Sequence, residues 1–133
     1  MQQKSADMRK NYEELDKIWE LSPVWDLLSP DQKKYIEEHS EVKKFRKNEV
    51  IHQEDDAPDY VMVIAAGTIR LTKEGVGQRV QIIRLLNRRD SFGYRSAMAG
   101  DRHSSCATAI EPTMVYRVER LAFLDVIKQN NEF

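Results

Sequence analysis

The chain has 133 residues, 41% hydrophobic and 32% charged, and its 21 Lys and Arg against 22 Asp and Glu leave a net charge of −1. This balance suits one soluble globular domain, neither disordered nor membranous, and is not that of a strongly basic nucleic-acid module; no apolar run approaches the ~18 residues of a membrane span. The polar N-terminus lacks the apolar core of a secretory signal, and the lone Cys106 can form no internal disulfide, so a reducing, cytoplasmic location is expected.

Tyr12, Leu15, Ile18 and Trp19 recur at helical spacing. Ser22-Pro23 then restarts the chain as an N-cap and first-turn proline, with Val24, Trp25, Leu27 and Leu28 as apolar contacts. Ser29-Pro30-Asp31-Gln32 has the spacing of a capping box and opens a helix to about His39, with Tyr35 and Ile36 inward. The period then changes. Short runs rich in β-branched residues occupy 42–45, 49–52, 60–65, 68–72, 79–86, 105–109 and 114–118. Turn signals separate them, among them Lys47-Asn48, the acidic 54–59, Ala66-Gly67, Gly75-Val76-Gly77 and Glu111-Pro112. Seven strands at this spacing predict a barrel, sandwich or jelly roll. Residues 120–129 return to helical spacing through Leu121, Leu124 and Ile127, and the chain stops at Asn131-Glu132-Phe133. The class expected is α+β.

The order of these elements and several spaced motifs resemble the sensor domain of Crp/Fnr-type bacterial transcription regulators. The motifs are Ser22-Pro23-x-Trp25-x-x-Leu28-Ser29, Phe45-Arg46-Lys47-Asn48-Glu49-x-Ile51, the run 59–71, Leu86-x-x-x-Asp90-x-Phe92-Gly93, and Leu121-x-Phe123-x-x-Val126-Ile127. The resemblance covers about residues 22–133. It implies a double-stranded β-roll (a jelly roll like a cyclic-nucleotide-binding domain) flanked by N-terminal helices and followed by a short C-terminal helix. In this reading residues 1–40 are helices packed on the roll and 41–133 are the roll with its following helix, together one structural domain. Family members continue into a dimerisation helix and a helix-turn-helix domain. A full-length regulator is therefore expected to form a homodimer on promoter DNA, while these 133 residues alone are expected to bind no DNA, to self-associate weakly and to contact no membrane.

The resemblance also locates an effector cassette, Phe92-Gly93 through Ser104. A cyclic-nucleotide receptor needs a carboxylate for the ribose hydroxyl and an arginine for the cyclic phosphate. Tyr94 stands at the carboxylate position, and His103 aligns with the arginine, with Arg102 one residue off. A phenol is no substitute for a full negative charge, and a neutral imidazole does not match a bidentate guanidinium. Three of the family's turn glycines are replaced by Asn48, Asp55 and Arg89. Asn and Asp tolerate a left-handed backbone, whereas Arg89 predicts an altered or mildly strained turn.

The Tyr94-Arg95 pair resembles a branch of these regulators that responds to redox or nitrosative conditions, in which some members, the hybrid-cluster-protein regulators among them, bind haem and answer to nitric oxide. An iron–sulfur cluster is excluded by the single cysteine. Haem would draw its axial ligand from Met62, Met98 or His103, its propionate partner from Arg95 or Arg102, and its apolar slot from Val61, Val63, Ile64, Ile82 and Leu85, whose inward faces are not set by sequence. Other candidates have plainer readings: His39 against the C-terminal carbonyls of its helix, His52 solvated on a strand edge, Met114 and Cys106 as core fillers, and Lys43, Lys44, Arg46 and Lys47 as a solvated edge. No nucleophile–base pair stands at usable spacing, so no enzyme is expected. A cyclic-nucleotide receptor, a cupin-like metal enzyme and an unliganded interaction module are the competing readings.

Overall fold

A computed structural model of the chain describes residues 17–130 apart from 22, 76 and 78. The expectations placed on Tyr12, Leu15, Ser22, Val76 and Asn131-Glu132-Phe133 lie outside the described residues. Among the described residues three helices come first: α1 (Ile18–Leu21), α2 (Pro23–Asp26) and α3 (Pro30–Glu38). The capping box of α3 forms in full, Gln32 N–H donating to Ser29 Oγ at 3.2 Å and Ser29 N–H to Gln32 Oε1 at 2.9 Å. His39 caps the other end, its Nδ1 lying 2.8 Å from the Tyr35 carbonyl.

Five strands follow: β1 (Ser40–Phe45), β2 (Val50–His52), β3 (Tyr60–Ala66), β4 (Thr68–Glu74) and β5 (Val80–Asn87). A two-residue β6 (Ser91–Phe92) leads into a short helix, α4 (Tyr94–Ala99). The chain closes with β7 (Cys106–Ala109), β8 (Thr113–Glu119) and α5 (Arg120–Gln129). The seven strand runs and the last helix stand where the sequence puts them, and β6 is additional. All pairings are antiparallel, in two four-stranded sheets ordered β1-β8-β3-β6 and β2-β7-β4-β5. This is a double-stranded β-roll with helices against one sheet.

The apolar core has two compartments, and strand periodicity sorts residues between them. Along β3 and β8, Val61, Val63, Ala65, Met114, Tyr116 and Val118 face the helices and pack with Ile18, Leu21, Trp25, Leu28, Ile36, Phe123 and Val126. The alternate residues Met62, Ile64 and Val115 face the roll interior, with Phe45, Ile69, Leu86, Phe92, Ala107 and Ala109. Trp25 and Phe123, 5.8 Å apart, join the N-terminal helices to α5. The outer strand β5 has no such cover, so Val80, Ile82, Ile83 and Leu85 are exposed.

The three residues standing in for turn glycines all adopt left-handed backbone, with φ of 71° at Asn48, 69° at Asp55 and 83° at Arg89. Arg89 has a reason to be there. Its Nε donates to the Leu21 carbonyl at 3.0 Å, tying the β5–β6 turn to the end of α1, while its backbone N–H donates to the Ile64 carbonyl at 2.9 Å. Strain in this turn is offset by a bond that glycine cannot make. Arg89→Ala keeps the strain and loses the bond, whereas Arg89→Gly loses both. Urea unfolding should therefore find the glycine variant more stable than the alanine variant by about 1 kcal/mol, near the low end of the left-handed penalty. Equal stabilities would mean that the turn is unstrained.

Candidate functional site

Between α4 and the β4–β5 side of the roll lies a cavity of about 330 Å³. Its floor is made by Phe92, Leu71, Leu86 and two imidazoles, His52 and His103. His52 enters from the end of β2, and His103 from the loop after α4. That loop is pinned to the acidic turn by the Asp55 N–H to His103 carbonyl bond, 2.9 Å, and the His103 N–H to Asp56 carbonyl bond, 3.0 Å. The two rings stack with centroids 3.7 Å apart and planes 9° apart. Gly93, at φ 85°, permits this arrangement: a Cβ there would stand 3.1 Å from the Tyr60 carbonyl oxygen and 3.5 Å from His103 Cε1.

His52 therefore departs from the solvated strand edge expected for it. It is buried, because the cassette loop folds over it from fifty residues downstream. Burial foremost, then the adjacent His103, lowers its pKa to about 4, against the opposing pull of Asp56 and of the Gln53 and Ser105 backbone. Burial also lowers His103, although Asp56 and Asp59 act the other way. Both rings are neutral at pH 7.

The walls have a different character. Lys73 of β4, Arg84 of β5 and Arg95 of α4 line the cavity together with Ser91, Ser96, Ser104, Ser105 and Tyr94, and among the described residues no carboxylate lines it. Phe92, Gly93, Tyr94, Arg95, His103 and Ser104 of the expected cassette are thus brought together. Arg102 is not among them: exposed, it donates from Nη1 to the Asp55 carbonyl at 2.7 Å and braces the acidic turn. Sequence reasoning missed Lys73, Arg84 and the pairing of His52. Arg84 interrupts the apolar run Ile82-Ile83-Arg84-Leu85-Leu86, the one local sign that this strand carries a charge toward the cavity.

The candidate haem ligands are dispersed. Met62 is buried in the roll interior, paired across the sheet with Phe92, and does not line the cavity above. Met98 projects from the other side of α4 into a second cavity of about 460 Å³, with Trp25, Val61, Phe123, Ile127, Arg84, Arg89 and Tyr94, and Met62 is absent from that lining too. The apolar slot expected from Val61, Val63, Ile64, Ile82 and Leu85 does not form. Val63 and Ile64 are fully buried in opposite compartments, and Ile82 and Leu85 are exposed on the outer strand. Tyr94, Ser91 and Arg84 front both cavities. α4 is also tied to the last helix, Arg120 Nε donating to the Ala97 carbonyl at 2.9 Å. No group of three or more His, Cys, Asp or Glu residues placed to hold a metal occurs among the described residues, and none of their helices is long and apolar enough to cross a membrane.

The chain is thus a β-roll that carries a short helix beside a cavity, with a second helix packed behind. Residues 42–130 match the family described as Cyclic nucleotide-binding domain, and the chain belongs to that family. No curated protein matches it in sequence. Among solved structures it is similar to a candidate cyclic nucleotide binding protein of Ruegeria pomeroyi, at 15% identity and TM-score 0.81, covering 92% of this chain and 54% of that one. It is similar also to the catabolite activator protein of Thermus thermophilus, at 21% identity and TM-score 0.72, covering 83% and 52%. The sensor domain of the transcriptional regulator DNR from Pseudomonas aeruginosa matches at 16% identity and TM-score 0.74, covering 82% and 77%. At these identities the likeness is one of fold. The chain spans about half the length of the first two.

Proposed function

We propose that this chain is the effector-sensing domain of a Crp/Fnr-type bacterial transcription regulator whose effector is not a cyclic nucleotide. The whole regulator would act as a homodimer on promoter DNA. The observation that carries the reading is the neutral, stacked His103 at the phosphate position, together with the phenol of Tyr94 where a ribose carboxylate belongs. Losing a charge-assisted pair costs about 1.5–3 kcal/mol, roughly ten- to a hundredfold in affinity. Calorimetry with cyclic AMP and cyclic GMP should give at most weak binding, and a low-micromolar dissociation constant for either would overturn the reading. The bond between Arg120 and Ala97 supports a route outward, since a ligand that favours one position of α4 would also bias α5. The cupin-like alternative finds no support among the described residues, where no three metal ligands converge.

Within this reading haem is the cofactor we infer, and nitric oxide or a redox change the signal. The residues fit it at the second cavity, where Met98 offers a soft neutral ligand, Trp25, Val61, Phe123 and Ile127 an apolar wall, and Arg84 and Arg89 partners for propionates. There the bound group would supply an iron centre open to a diatomic ligand. The first cavity suits it less, because its two imidazoles, His52 and His103, are stacked against each other. Haemin titration should give a saturable Soret band that Met98→Ala abolishes and Met62→Ala and His103→Ala retain. No saturable band, or one indifferent to Met98, would remove haem and leave the sensor reading standing.

A further inference from the structure

Three cations from three separate elements face the first cavity: Lys73 on β4, Arg84 on β5 and Arg95 on α4. None makes a side-chain hydrogen bond or ion pair with a described residue, and among the described residues no carboxylate lines the cavity to balance them. The imidazoles on the floor are neutral and contribute no counter-charge. All three side chains are exposed, so solvent screens part of their mutual repulsion, and an anion seated between them relieves the rest. The serine hydroxyls of the same wall add donors that an anion's remaining oxygens can use.

We propose that this cavity binds a compact small molecule carrying two or more anionic groups, phosphate or carboxylate, held by Lys73, Arg84 and Arg95. A cyclic phosphodiester, with one charge and a sugar whose hydroxyl finds no carboxylate here, leaves most of that positive field unanswered. Two guanidiniums on opposite walls favour an anion at each end of the ligand, since each fork accepts one planar or tetrahedral oxyanion. The cavity volume of about 330 Å³ limits the ligand to metabolite size. The inference deepens the effector-sensing reading and needs no haem, although Arg84 fronts both this cavity and the one assigned to haem.

The test is calorimetry on the 133-residue chain with inorganic pyrophosphate and citrate, against inorganic phosphate and cyclic AMP, at low and at near-physiological salt. One of the first two should bind saturably at one site, at least tenfold tighter than phosphate or cyclic AMP, and should weaken as salt rises. Which of the two binds assigns phosphate or carboxylate. Arg84→Gln and Arg95→Gln should each weaken binding about tenfold or more, and Lys73→Gln somewhat less, while Arg79→Gln, exposed and outside the cavity, should change nothing. The proposal is overturned if neither polyanion binds saturably, or if binding is unmoved by Arg84→Gln and Arg95→Gln. Tight cyclic AMP binding without polyanion binding would overturn both this proposal and the effector reading above. Failure of all four probes would overturn this proposal alone.

Discussion

Replacing Gly67 by alanine is expected to destabilise the domain by about 3–5 kcal/mol, a large part of the roughly 5–15 kcal/mol that holds a domain of this size. Gly67 forms the tight link between β3 and β4 at φ 99°, a backbone conformation that costs an L-residue energy before any contact is made. A Cβ would also stand 2.7 Å from the Pro112 carbonyl oxygen and 2.7 Å from Thr113 Cα, and closer still to Thr113 Oγ1. Two of those atoms are backbone where β8 begins, so relief requires the β3–β8 ladder itself to shift. Gly77 is the control: it too has positive φ, 75°, but a Cβ there meets nothing within 4 Å. Gly77→Ala should lose about 1 kcal/mol. Urea midpoints showing Gly67→Ala no worse than Gly77→Ala would refute the close packing of this turn.

Acid should weaken the fold through His52. Its unfolded-state pKa is near 6.5 and its folded-state pKa about 4, so between those values the unfolded chain binds the extra proton. Stability is therefore fully present above about pH 6.5 and falls as the pH drops toward 4. The difference of the two values, at 1.36 kcal/mol per unit, sets the loss at about 3 kcal/mol. His103, lowered in the same direction, adds to it. Carboxylates titrate over the lower part of this range as well, so the measurement is a comparison. The stability lost between pH 6.5 and 4 should be larger for the parent than for His52→Leu by that amount. Parallel curves would mean that His52 is accessible to solvent in the folded state.

Local patterns in this chain were legible where a residue's role depends on its near neighbours. The Ser29–Gln32 box, the strand runs, the C-terminal helix at Arg120–Gln129 and the left-handed turns at Asn48 and Asp55 follow from spacing and residue chemistry. What could not be read depends on chain segments far apart in sequence. His52 is followed by Gln53-Glu54-Asp55-Asp56, a polar setting that points to solvent, yet it is buried, with His103 stacked on it and Phe92 beside it. Ile82 and Leu85 read like pocket residues yet lie exposed on an outer strand, a matter of sheet order that periodicity does not contain. Met62 and Met98 are equivalent as chemistry, and only the fold sends one to the interior and the other to a cavity mouth. The cassette was found by motif, but its charge was not, because Lys73 and Arg84 come from a different hairpin.

The double burial of β3 changes what keeps that strand in place. In an ordinary half-exposed strand, sliding by one residue turns oily side chains out to water, and the solvent itself rejects the error. On β3 the slide would exchange Val61, Val63 and Ala65 with Met62 and Ile64, and both faces would remain dry. Water thus does not discriminate between the two alignments. The selection falls to shape: the helix side is filled by the slimmer side chains and the roll side by the longer ones, at the close packing typical of interiors. It falls also to fixed pegs at the end of the strand, the Gly67 link and the bonds that Ile64 makes with Asp90 and Arg89. Along this strand, exchanges that leave hydrophobicity untouched bear directly on whether the chain reaches a single alignment.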